Sequence, residues 1–134
     1  MSNEYKDWIS DQKVQFDINT ASFNNLPNGW VNSFVPQLKD ELFNTLGGFA
    51  EDFVVTQCKE KYASMVIYWS WRERNYTVDE LMCLNELYDS VECVINKYSK
   101  ISHNTCVVCG DIAKEYSKCW VLPFCSYCFK NGAY

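Results

Sequence analysis

The 134-residue chain has a single histidine, His103. That scarcity excludes H-E-x-x-H and H-x-E metal motifs, and with them the common zinc hydrolase and deaminase sites. Glycine and proline are also sparse, at five and three residues, and the glycines form neither a phosphate-binding loop nor a nucleophile elbow. No apolar run approaches the roughly 20 residues that a membrane helix requires. Met1 to Ser10 contains acids and no apolar segment, so it matches neither a secretion signal nor a transit peptide. A cytoplasmic protein, of a cell or of an infected cell, is expected. Positive charge is in the minority: 12 Lys and Arg against 17 Asp and Glu give a net charge of −5. This argues against nonspecific coating of nucleic acid, which needs concentrated cations.

What is abundant is apolar, aromatic and sulfur-bearing. Hydrophobic residues make up 48% and aromatics 16%, including Trp8, Trp30, Trp69, Trp71 and Trp120, which is ample material for one packed core. The length fits one domain or a body with a small module attached. Residues 1–28 show no strong period: Trp8, Ile9, Val14, Phe16, Ile18 and Phe23 are scattered among polar residues, and Leu26-Pro27-Asn28-Gly29 reads as a turn. This segment suits either a lid on the body or a mobile arm.

From Trp30 the apolar residues Phe34, Leu38, Leu42 and Leu46 recur every four positions, which predicts an amphipathic helix at about 33–46 with Pro36 in its first turn and Gly47-Gly48 as its stop. Phe53 to Cys58 and Met65 to Trp71 are rich in β-branched and aromatic residues and predict two antiparallel strands. With no Asn-Gly between them, a connection longer than two residues is expected. Thr77-Val78-Asp79-Glu80 has the form of a capping box. The helix it starts should present Leu81, Leu84, Tyr88, Val91, Ile95 and Tyr98 on one face, through to about Lys100. The predicted fold is α+β: helix, antiparallel hairpin and long helix in a body at 29–102, then a zinc-ribbon module at 103–134.

That module rests on Cys106-Val107-Val108-Cys109 and Cys125-Ser126-Tyr127-Cys128, the two-knuckle spacing of a four-cysteine zinc site. Each C-x-x-C brings two thiolates together from one tight turn, and Gly110 permits the backbone conformation that such turns demand. The segment Asp111 to Phe124 is long enough for a short hairpin, which favours a ribbon over a helical treble clef. Without an export signal, metal binding is a better use of the cysteines than disulfides. A redox C-x-x-C would need a β-α-β context that is missing, and four thiolates leave no open position for a catalytic zinc water. The structural ion expected is Zn2+. His103 lies three residues before Cys106 and could substitute as a ligand or act as a nuclease base, although a surface position in a linker is the simpler expectation. Cys58, Cys83, Cys93 and Cys119 read as small buried hydrophobes, with Cys119 near enough to join the site on oxidation.

Outside the cysteines, Lys59 and Lys61, with Arg72 and Arg74 beyond the second strand, put positive charge near both ends of the hairpin, close to Trp69 and Trp71. These six residues are the candidate partner-binding set. Base stacking beside cations would suit single-stranded nucleic acid, but strand aromatics usually build core and Glu51, Asp52, Glu60 and Glu73 would repel phosphate. A protein partner is therefore preferred, nucleic acid is the alternative, and a metal-dependent enzyme is the least supported class. No membrane partner and no catalytic residues are expected.

Several stretches resemble a family of short bacterial and phage proteins. They are Asn28-Gly29-Trp30 before a helix, Lys59-Glu60-Lys61-Tyr62-Ala63-Ser64-Met65-Val66-Ile67-Tyr68 for a K-E-K-F-G-like hairpin, Cys106 to Gly110, and Cys119-Trp120-Val121-Leu122-Pro123-Phe124-Cys125-Ser126-Tyr127-Cys128 for G-W-x-x-L-C-x-x-C. The likeness runs from about residue 28 to 129. Tyr62-Ala63 stands where the family has Phe-Gly, Val66 where it has Arg, and Cys119 where it has Gly. The resemblance implies a zinc-ribbon accessory protein of phages or mobile elements and carries no catalytic residue. Such proteins commonly bind a host protein to block or redirect it, so the implied role is a protein-binding inhibitor or modulator, with host antiviral defence as one target.

Overall fold

A computed structural model describes residues 3–118 and 121–132, with side chains from residue 11 onward. Trp8, Cys119 and Trp120 therefore have no described side chain, and the expectations for Cys119 and Trp120 lie outside the described residues. The chain runs α1 (Asn3–Asn19), a 3-10 turn (Ala21–Asn25), α2 (Asn28–Ser33), α3 (Val35–Leu46), a second 3-10 turn (Gly47–Asp52), β1 (Phe53–Lys61), β2 (Ser64–Trp71), α4 (Val78–His103), β3 (Glu115–Tyr116), β4 (Pro123–Phe124) and α5 (Ser126–Lys130). The fold is α+β, with a ribbon-like four-cysteine module at its C-terminal end.

The aperiodic N-terminal segment is a helix laid on the body. Among its described side chains, Gln12, Phe16 and, directly after its end, Thr20 are buried, four residues apart and therefore on one face, while Val14 and Ile18 are exposed. Two of these three described inward residues are polar, which weakens the hydrophobic periodicity here. The polar ones are satisfied: Gln12 Nε2 donates to the Gly48 carbonyl at 3.2 Å, and Thr20 Oγ1 donates to the Phe16 carbonyl at 2.9 Å. Phe16 meets the rings of Phe43 and Phe53 at 5.4 and 6.2 Å.

The predicted helix at 33–46 is observed as α3, with Val35, Leu38, Leu42 and Leu46 buried and Pro36 in its first turn. Gly47, at φ 55°, ends it. Helical structure begins earlier than expected. Pro27 caps α2, so Asn28 and Gly29 open a helix rather than close a turn.

β1 and β2 pair antiparallel, from Phe53 opposite Trp71 to Lys61 opposite Ser64, with a bulge between Val55 and Gln57. The expected long connection is corrected: Lys59 to Lys61 belong to β1, and only Tyr62 and Ala63 link the strands. Both have positive φ, 52° and 69°, as a tight hairpin turn with strand-matching twist requires. The strain of placing side chains there is offset locally, because the Glu60 carboxylate accepts the Ala63 N–H at 2.8 Å. Met65, Ile67, Trp69 and Trp71 face inward on β2 beneath α4. Ser102 and Ser99 of α4 bond the Met65 backbone N–H and carbonyl at 2.8 and 2.9 Å, which fixes the helix on the strand.

α4 starts at the predicted capping box, with Thr77 Oγ1 accepting the Glu80 N–H and Glu80 accepting the Thr77 N–H. Leu84, Val91, Ile95 and Tyr98 are buried as expected. Leu81 and Tyr88 are not: they are 48% and 50% exposed. Of residues 78–90 only Leu84 is buried, because α3 and β2 meet chiefly the later turns.

Candidate metal centre

The first knuckle follows directly from α4. Its backbone is fixed by Gly110 N–H donating to the Cys106 carbonyl at 3.0 Å and Cys106 N–H donating to the Asp111 carbonyl at 2.7 Å. Gly110 takes φ 85°, a conformation that side chains disfavour. Two-residue strands β3 and β4 then pair, with Glu115 opposite Phe124, and return the chain to the second knuckle. The hairpin expected between the knuckles is thus present. Cys125 also caps α5 and Cys128 lies in its first turn, a helical element that spacing did not place.

The four Sγ atoms of Cys106, Cys109, Cys125 and Cys128 lie within 4.8 Å of one another. Cys109 and Cys125 approach to 3.5 Å, far beyond the roughly 2.05 Å of a disulfide. A tetrahedral ion with metal–sulfur bonds of about 2.3 Å needs sulfurs about 3.8 Å apart, so this donor set fits such an ion. Cys106, Cys125 and Cys128 are buried and Cys109 is exposed. Burial acts to raise the Cys106 thiol, but backbone N–H groups around its sulfur outweigh that and bring it down to about 6. Cys128 is pushed up, first by its hydrogen bond with the Cys125 thiol and then by burial. A divalent cation among the sulfurs removes that conflict by balancing the thiolate charge.

The knuckle is seated on α2 by backbone contact. Gly29 N–H donates to the Val107 carbonyl at 2.8 Å. A Cβ on Gly29 would stand 2.2 Å from the Cys106 carbonyl oxygen, and one on Gly110 would stand 2.7 Å from the Gly29 carbonyl oxygen. The next residue, Trp30, is fully buried, and its Nε1 donates to the Thr105 carbonyl at 2.9 Å. Cys106, Val107, Phe124, Cys125 and Cys128 share one apolar cluster with Trp30, Phe34 and Tyr98. Sequence reasoning had no role for Gly29 and Trp30 beyond a turn and a helix start. Their adjacency before the helix was the available signal.

The other candidates fall elsewhere. His103 ends α4, exposed, stacked on Tyr116 at 5.1 Å and with Nδ1 3.2 Å from Ser64 Oγ, and it is not one of the converging ligands. Cys58 is half-buried, and burial pushes its thiol up to about 12. Cys83 and Cys93 are exposed on α4, which corrects the expectation that they are buried.

The six partner-binding candidates are not brought together. Lys59 and Lys61 lie at the turn end of the hairpin, whereas Trp69, Trp71, Arg72 and Arg74 lie at the far end. Trp69 packs on Phe53 at 5.1 Å and on Tyr88 at 5.3 Å, and its Nε1 donates to Glu92 at 2.7 Å. Arg74 is held by both oxygens of Asp52, at 2.8 and 3.0 Å, and by Glu80 at 3.1 Å. Arg72 also reaches Asp52, at 3.0 Å. Around Asp52, whose side chain is 2% exposed, these cations neutralise a buried carboxylate. Among the described helices none is long and apolar enough to cross a membrane. Comparison with family models, curated proteins and solved structures found no match, so the four-thiolate cluster and the surfaces around it are what the function of this chain can be read from.

Proposed function

We propose that this is a non-enzymatic, zinc-stabilised accessory protein that acts by binding another protein. The observation that carries this reading is the convergence of four cysteine sulfurs within 4.8 Å. Sulfur donors select zinc over the hard cations, and four of them complete its tetrahedron without leaving a place for water or substrate. The centre then serves to hold α5 and the first knuckle against α2, and recognition falls to the exposed apolar surface. The resemblance to phage and mobile-element proteins supports a host protein as partner, with components of antiviral defence as one class. A cytoplasmic setting suits the reduced thiolates.

Metal analysis of protein purified under reducing conditions should give one zinc per chain. Affinity capture by the zinc-loaded chain should retain a defined partner, and no metal or no partner would defeat the reading. A second reading, a nucleic-acid regulator, draws on Lys59 and Lys61, exposed near Tyr62 and Tyr68. It requires binding that weakens steeply with salt and falls when both lysines are replaced.

A further inference from the structure

The early turns of helix α4 leave an apolar stripe uncovered. Val78, Leu81, Met82 and Tyr88 are 74%, 48%, 60% and 50% exposed. Leu81 and Tyr88 lie at the edge of the face that Leu84, Val91, Ile95 and Tyr98 bury, and Val78 and Met82 carry the apolar surface on from that edge toward solvent. A solvent-facing helix side is ordinarily polar, and methionine and tyrosine among aliphatics are typical of a binding surface. Tyr88 joins the stripe to the hairpin, its ring 5.3 Å from Trp69, which meets Trp71 edge-on at 4.9 Å.

The charge beside this stripe has one sign. Between Val78 and Asn96 there are acids and no lysine or arginine. Glu80 and Glu92 are held by Arg74 and Trp69. Asp79, Glu86 and Asp89 form no ion pair with any described residue, and they sit in the same turns as the apolar side chains. A second copy of the chain would set these acids against one another, which disfavours self-pairing.

We propose that the uncovered stripe in the early turns of α4 docks a basic amphipathic helix of a partner protein. The incoming apolar face covers Leu81, Met82 and Tyr88, and lysines or arginines flanking it reach Asp79, Glu86 and Asp89. This rests on the protein-binding reading above and names the chemistry of the partner.

The test is an amide-shift titration of the full zinc-loaded chain with a helical Lys/Leu peptide of roughly 18 residues, long enough to lie along three turns of α4. Controls are a scrambled peptide of the same composition and a Glu/Leu counterpart. Shifts are expected at residues 78–92 and at the Trp69 and Trp71 indoles, with affinity falling as salt rises. Leu81→Glu with Met82→Glu should weaken binding about tenfold, with an unchanged unfolding midpoint because both sites are exposed. Asp79→Lys with Asp89→Lys should transfer preference to the Glu/Leu peptide. Shifts elsewhere, equal binding of either control, or concentration-dependent shifts of the free chain at 78–92 would overturn the proposal. So would a captured partner retained equally by the Leu81→Glu, Met82→Glu chain, an outcome that leaves the protein-binding reading intact.

Discussion

At Gly29 there is no room for a methyl group: its Cβ would fall 2.2 Å from the Cys106 carbonyl oxygen, and backbone rather than a flexible side chain is in the way. Gly29→Ala should therefore lift the first knuckle off α2, costing about 3 kcal/mol or more in unfolding free energy and weakening zinc retention against a chelator competitor. Equal zinc affinity in the variant would show that the seat and the centre are independent. Asp52 offers a different test. Burial alone would raise its carboxyl, but the guanidinium groups of Arg74 and Arg72 outweigh burial and hold it below the ordinary carboxylate value. A folded value below the unfolded one gives stability that is present above the unfolded value and lost as pH falls through the folded one. Asp52→Asn should cost about 3 kcal/mol at neutral pH, and denaturant titrations at falling pH should show the gap to wild type closing below about pH 4. The cysteine ligands were legible as residues because spacing alone encodes them. Gly29 was not, since its reason lies in a carbonyl contributed by a segment far along the chain.

Among elements, those that bury a continuous apolar stripe were readable and those that bury mixed faces were not. α3 and the later turns of α4 follow their periodicity because Val35, Leu38, Leu42 and Leu46, and Val91, Ile95 and Tyr98, recur at helical spacing along their inner sides. α1 escapes notice because Gln12 and Thr20 share its inner face with Phe16. The hairpin strands were recognised, but their turn was not, because Tyr62 and Ala63 occupy backbone conformations that sequence statistics assign to Asn and Gly. Replacing Tyr62 by Asn and Ala63 by Gly should raise stability by about 1 kcal/mol in chemical denaturation, with the same strand register. A loss would mean that the buried Ala63 methyl contributes more by packing than its conformation costs. The early turns of α4 also show how one helix can be misjudged: Leu81 and Tyr88 fit the period of the inner face, yet the body does not extend far enough to cover them.

For the molecule as a whole, the four-cysteine centre joins the end of α4, α5 and α2 into one apolar cluster with Trp30. Chelating the metal, or replacing Cys128 by Ser, should release the C-terminal end and expose Trp30 to water, read as a red shift of tryptophan emission and faster amide exchange across α2. The hairpin, α3 and α4 should keep their protection, because their contacts with one another do not pass through the sulfurs. Loss of all protection together would instead make the ion a condition for any folding.

The bond from Trp30 to Thr105 spans 75 positions in sequence, and this dictates an order of events at the ribosome. The indole is synthesised early and then waits, greasy and uncovered, until Thr105 and the knuckle segments that share its cluster have emerged. A chain stalled before Cys125 would keep that apolar surface open to water, so the last residues made decide whether an early core residue is covered.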